Sequence, residues 1–229
     1  MTYRHVIAAL AMMLSAFYGG IKADELSSLS PRQKAITEIA SLTAKTDLQA
    51  LAVLLDQVLD STLTVNEAKE VMVHSYAYCG FPKALRGLQT LVEVIDSRTA
   101  AGKPVIMGRE ASPIDDTRGK YERGRAILSE ISGMLTDAPK APYAVLSPEV
   151  EVFLKEHLFC DLFERDVLTY AERELATVAV IASLGEGVEP MLRSHSGIAK
   201  RLGASDTQIE EIIIFANKSQ TATAKTTRQ

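Results

Sequence analysis

Apolar residues recur every three or four positions over most of the chain. Leu48, Leu51, Ala52, Leu55, Val58 and Leu59 form one stripe, and Ala84, Leu85, Leu88, Leu91, Val92 and Ile95 a second. Leu175, Val178, Ala179 and Ala182 form a third, and Ile209, Ile212, Ile213 and Ala216 a fourth. A period near 3.6 predicts helices that each bury one face. Strand-like alternation is scarce, so the pattern predicts an all-α fold. The stripes stop in the middle, where five of the eight prolines lie between Pro104 and Pro148. Residues 100–147 therefore read as a connector, with one helix expected over 118–135. The end, residues 218–229, lacks any large apolar side chain and is expected to be disordered.

The two striped regions align without gaps at an offset of 141. Arg32 then meets Arg173, Leu51 meets Leu192 and Glu70 meets Glu211. Capping signals coincide as well. Thr64 precedes Glu67 by three residues, and Ser205 precedes Gln208 by three, the spacing at which two side chains satisfy each other's orphan N–H groups at a helix start. A duplicated helical unit is therefore expected, spanning 24–99 and 148–217. Neither unit alone has enough surface to build a complete core.

The start of the chain has a different character. Arg4 precedes fifteen uncharged residues, Val6–Gly20, and Ala23 is followed by Asp24 and Glu25. That layout predicts a secretory signal over 1–23, and so an exported protein, periplasmic or secreted. The apolar run is short for a membrane span, so no stable insertion is expected once the signal is removed.

Composition narrows the function. The 229 residues carry 25 Lys+Arg against 29 Asp+Glu, a net charge of −4, which leaves no electrostatic footprint for nucleic acid. Cys79 and Cys160, 81 positions apart, belong to no shared local motif. They read as buried thiols, although a disulfide between them stays open. His5, His74, His157 and His195 are scattered without an i, i+4 pair, so no metal is expected, and no cofactor motif is present.

One pair of residues suggests chemistry. A helix opening at Arg173 and Glu174 runs to about Leu184, Gly185-Glu186-Gly187 breaks it, and a second helix runs from Pro190 through His195 to Leu202. His195 lies on the stripe formed with Leu192, Ala199 and Leu202, and Glu174 lies near the buried edge of its own helix. An inward shift of one turn brings the carboxylate to the imidazole. Such a contact fixes the tautomer, favours the charged ring and makes a proton shuttle near neutral pH. The same spacing also suits a hydrogen-bonded core histidine and a glutamate placed for the helix dipole.

These residues carry a family resemblance. Residues 153–168 (FLKEHLFCDLFERDVL), 173–184 (RELATVAVIASL) and 192–195 (LRSH), with 74–85 (HSYAYCGFPKAL) in the first unit, resemble the carboxymuconolactone decarboxylase family, which includes alkylhydroperoxidase D-like proteins. The resemblance covers Leu29–Ile95 and Val150–Ala216. It implies a helical bundle of the alkylhydroperoxidase D-like kind, here a tandem pair of units, assembled as a trimer or hexamer. It implies Glu174 and His195 as the catalytic residues. The peroxidase branch also needs a Cys-x-x-Cys pair, and here Val188 and Met191 stand at those positions. In the first unit Gln33 and Leu54 replace the Glu and His, so that unit reads as catalytically silent.

The expected function is cofactor-free acid–base chemistry on a small lactone or carboxylate, of the decarboxylase kind. His195 is the expected proton donor and Glu174 its orienting partner. Arg173 or Arg193 is expected to grip a substrate carboxylate, and His157 and His74 to line the site. The alternatives are a thiol-dependent peroxidase and a non-enzymatic ligand-binding oligomer.

Overall fold

The computed structural model describes residues 27–135 and 140–226. The expected signal segment and its cleavage point lie outside these residues. Among the described residues all regular structure is helical. No helix among them is long and apolar enough to cross a membrane.

Local chemistry sets the helix starts. Helix α1 (Pro31–Lys45) begins with a reciprocal capping box between Ser30 and Gln33. Asp47 caps α2 (Leu48–Val58), and the expected box of Thr64 and Glu67 opens α3 (Val65–Cys79). Gly80, at φ +82°, lets α4 (Phe81–Ala100) start directly after α3, in a conformation that a side chain would strain. The connector then crosses the start of α3, whose Val65 and Asn66 N–H groups donate to the carbonyls of Ile106 and Met107.

Helix α5 (Lys120–Ser132) lies inside the connector, where one helix was expected. The short α6 (Pro142–Leu146) and α7 (Pro148–Phe153) follow, and α7 runs on as a π-helix, Leu154–Leu162. The π-helix packs against α5 backbone to backbone at Gly124. A Cβ there would sit 1.7 Å from the Lys155 carbonyl oxygen, so only glycine permits the approach.

The last three helices are α8 (Tyr170–Ser183), α9 (Glu189–Arg201) and α10 (Asp206–Thr226). Thr169 and Glu172 form a capping box at the start of α8, and Ser205 and Gln208 exchange the expected bonds before α10. Helix α10 continues past Lys218, where a disordered tail was expected. Ala222, Ala224 and Lys225 are good helix formers, and no Gly or Pro interrupts the run. The offset of 141 carries the first residues of α2 and α3, Leu48 and Val65, onto those of α9 and α10, Glu189 and Asp206.

Helix α8 is the axis of the fold. Every residue from Arg173 to Ser183 is buried, with α1, α3, α9 and α10 around it. Leu51, Leu55, Val71 and Met72 from the first set join Leu175, Val178 and Ile212 from the second in one continuous core. A smaller apolar cluster, with Ile131, Phe159 and Phe163, sits under α5 and the π-helix. Arg32 ties helix starts from both sets together. Its guanidinium donates to Glu67 at 2.6 Å and to Glu172 at 2.5 Å.

Candidate functional site

Helices α8 and α9 are joined by a tight turn at Leu184–Val188, which folds them antiparallel and brings the start of α8 to the middle of α9. Glu174 and His195 meet there. The imidazole Nδ1–H donates to Glu174 Oε2 at 2.9 Å, and the two side chains are 0% and 14% exposed. With Nδ1 engaged, Nε2 is the ring atom left to exchange a proton. The second carboxylate oxygen, Oε1, is buried without a partner.

Helix α3 brings a further row of polar groups against α8. Glu70, His74 and Tyr78 recur every four residues and so share one face. Arg173 Nη2 donates to Glu70 Oε1 at 2.7 Å, with both side chains fully buried. Arg165 closes a bidentate pair on the same carboxylate, its Nε 2.9 Å from Oε1 and its Nη2 2.9 Å from Oε2.

Arg173 Nη1 also donates to His74 Nδ1 at 3.4 Å. A guanidinium cannot accept, so His74 carries its proton on Nε2 and donates it to Thr177 Oγ1 at 2.8 Å. Thr177 in turn donates to the Arg173 carbonyl. Burial, and the positive charge of Arg173 beside it, hold His74 well below the usual imidazole range. His74 is therefore a neutral structural link.

Tyr78 bridges the two groups. Its ring lies 5.6 Å from that of His195, perpendicular to it, and 5.3 Å from that of His74. Its hydroxyl is buried and makes no hydrogen bond of acceptable geometry. Burial first, and the nearby Glu174 carboxylate second, raise the phenol well above its ordinary range, so it stays a neutral donor.

The remaining expected site residues are placed differently. Arg173 is not available to a substrate carboxylate, because its guanidinium is committed to Glu70 in the interior. His74 lies behind the pair, with both ring nitrogens engaged. His157 stands on the π-helix, half-exposed, with Asp161 at 3.1 Å and Tyr76 beside it, apart from the Glu174–His195 contact. Arg193 is exposed on α9, two residues from His195.

Cys79 and Cys160 are both free, so no disulfide joins them. Cys160 is buried as expected, and Cys79 is only half-buried. Burial and the adjacent Glu164 push the Cys160 thiol up to about 11. Val188 is the N-cap of α9, and Met191 lies in its first turn.

Sequence reasoning missed Glu70, Tyr78, Thr177 and Arg165. The i, i+4, i+8 row of Glu70, His74 and Tyr78, lying on a helix otherwise packed into the core, is the signal that locates two of them, Glu70 and Tyr78.

Residues 148–217 match the model of the Carboxymuconolactone decarboxylase family. The matched stretch runs from α7 into α10 and contains Glu174, His195 and Arg173, and it supports the family resemblance over the second helical set. No curated protein matches the chain.

Proposed function

We propose, on the premise of that family match, that the protein is a cofactor-free acid–base enzyme that decarboxylates a small unsaturated lactone carboxylate. The observation that carries this reading is the buried contact between Glu174 and His195. In the reaction the bond to the carboxylate carbon breaks and carbon dioxide leaves. The electron pair enters the conjugated lactone as a dienolate. The imidazolium of His195 then gives its proton to carbon, forming the new C–H bond, and the neutral ring recovers a proton from solvent. Glu174 orients the ring and balances its charge. Arg193 is exposed on α9 but stands two residues from His195 and so on another face of that helix, which leaves the substrate carboxylate without an assigned arginine.

A fused pair of family units is part of the same reading. The shared register of α2 with α9 and α3 with α10 supports it, and the first unit, with Gln33 and Leu54 at the equivalent positions, has no acid–base pair of its own. Exposed apolar side chains at Leu135, Val145, Leu146 and Phe153 support assembly into a homo-oligomer. Residues 1–23 would direct export.

A thiol-peroxidase reading has less support. Among the described residues neither cysteine makes a hydrogen bond to Glu174 or His195, and the better-buried thiol is held protonated. The test is carbon dioxide release from carboxymuconolactone by the purified protein. Release that follows enzyme concentration supports the reading. No release, together with cysteine-dependent peroxide consumption, contradicts it.

A further inference from the structure

The Glu174–His195 site contains an unused donor and an unused acceptor. The Tyr78 hydroxyl and Glu174 Oε1 are both buried and unpartnered. Buried polar groups are nearly always satisfied, so these orphans, one on each helical set and with Arg173 Nε unsatisfied as well, call for an explanation. Each becomes useful when a third oxygen arrives.

The charges around them define that oxygen. Arg165 and Arg173 both pair with Glu70, and Glu174 pairs with His195, so the cluster holds two guanidinium groups and two carboxylates. The cluster is therefore balanced when His195 is neutral. It carries one excess positive charge when His195 is protonated, a state that suits a monoanion. A neutral donor held in a water-poor site is also the group that best stabilises charge developing on oxygen, because it needs no reorganisation at the moment of reaction.

We propose that Tyr78, contributed by the otherwise silent first helical set, is a catalytic residue of this site that donates its hydroxyl hydrogen bond to an anionic oxygen of the ligand while His195 is protonated. The ligand class is a small planar monoanion with its charge delocalised onto an oxygen, as in a dienolate or phenolate. The proposal rests on the acid–base reading of Glu174 and His195, and it assigns the first helical set a direct part in the chemistry.

The test uses 4-nitrophenol, whose absorbance distinguishes phenol from phenolate, titrated into the full-length mature protein and into its Tyr78→Phe and Tyr76→Phe variants. Tyr76 stacks on Phe81, outside the site, and serves as the control. The wild-type protein should bind the probe as phenolate. Tyr78→Phe should weaken binding roughly ten- to hundredfold, the range for a hydrogen bond to a charged group, and Tyr76→Phe should leave it unchanged. Because the hydroxyl lies near Thr177 without a hydrogen bond of acceptable geometry, Tyr78→Phe should keep the Tm, an outcome that a strong structural bond would not give.

Equal binding by wild type and Tyr78→Phe overturns the proposal, as does absence of binding to the wild type or a lowered Tm in Tyr78→Phe. Lactone decarboxylation is measured separately. Tyr78-dependent binding without decarboxylation contradicts the decarboxylase reading alone. Decarboxylation by Tyr78→Phe at the wild-type rate contradicts the role of Tyr78 alone.

Discussion

Glu174 Oε2 accepts the Nδ1 proton of His195 at 2.9 Å across the α8–α9 hairpin. The carboxylate is wholly buried and the ring is partly exposed, so one partner is fixed by the core and the other reaches its edge. The arrangement gives each residue a separate task. In the proposed reaction Glu174 holds charge and tautomer, and His195 exchanges the proton through Nε2.

Glu174→Gln keeps the shape and removes the charge. Its amide still contacts Nδ1 but no longer balances an imidazolium. The fold should persist by circular dichroism, and kcat/KM should fall by about 10²-fold, the lower end of the acid–base range. An unchanged kcat/KM would show that the carboxylate only packs.

Glu70 carries the largest structural burden in the site. Glu70→Ala leaves Arg173 buried without its counter-charge, a change that typically costs about 3–5 kcal/mol. Urea unfolding should show a loss of that order. A loss under about 1 kcal/mol, the size for an exposed pair, would mean that Arg165 and solvent compensate.

His74 makes stability depend on pH in a definite direction. It is neutral in the native state and held well below the usual range, whereas in the unfolded chain it takes up a proton near about pH 6.5. The unfolded state therefore binds the extra proton as pH falls, and stability present above that point is lost on acidification. Unfolding midpoints should drop between about pH 7.5 and 5.5 for the wild type, and the His74→Gln variant should show a shallower slope. Parallel slopes would assign the loss to other groups.

The two thiols should differ in reactivity. Cys160 is buried between Arg123 and Glu164 and held protonated, whereas Cys79 is partly exposed at the end of α3. Mass spectrometry after iodoacetamide treatment of the native protein should find Cys79 modified first. Equal labelling would show that the π-helix opens readily.

Much of this was legible from spacing. The apolar stripes located the principal helices, and the threonine and serine caps located the starts of α3 and α10. The Glu174–His195 contact followed from two helices and a short glycine-containing turn. The π-helix was not legible, because a wider helical turn has no composition of its own and here answers to the close approach of Gly124. Arg173 was misplaced because its partner, Glu70, lies 103 positions earlier in the chain. A charge whose counter-charge is remote in sequence reads as a surface group until the fold joins them. Tyr78 was missed for the same reason, since it reaches the site only when α3 packs on α8.

The central claim is that His195 delivers the proton, and the most direct measurement is kcat/KM for lactone decarboxylation by wild type and His195→Gln at neutral pH. The account predicts a loss of about 10²–10⁴-fold with fold and assembly intact. Decarboxylation by His195→Gln at the wild-type rate would contradict it.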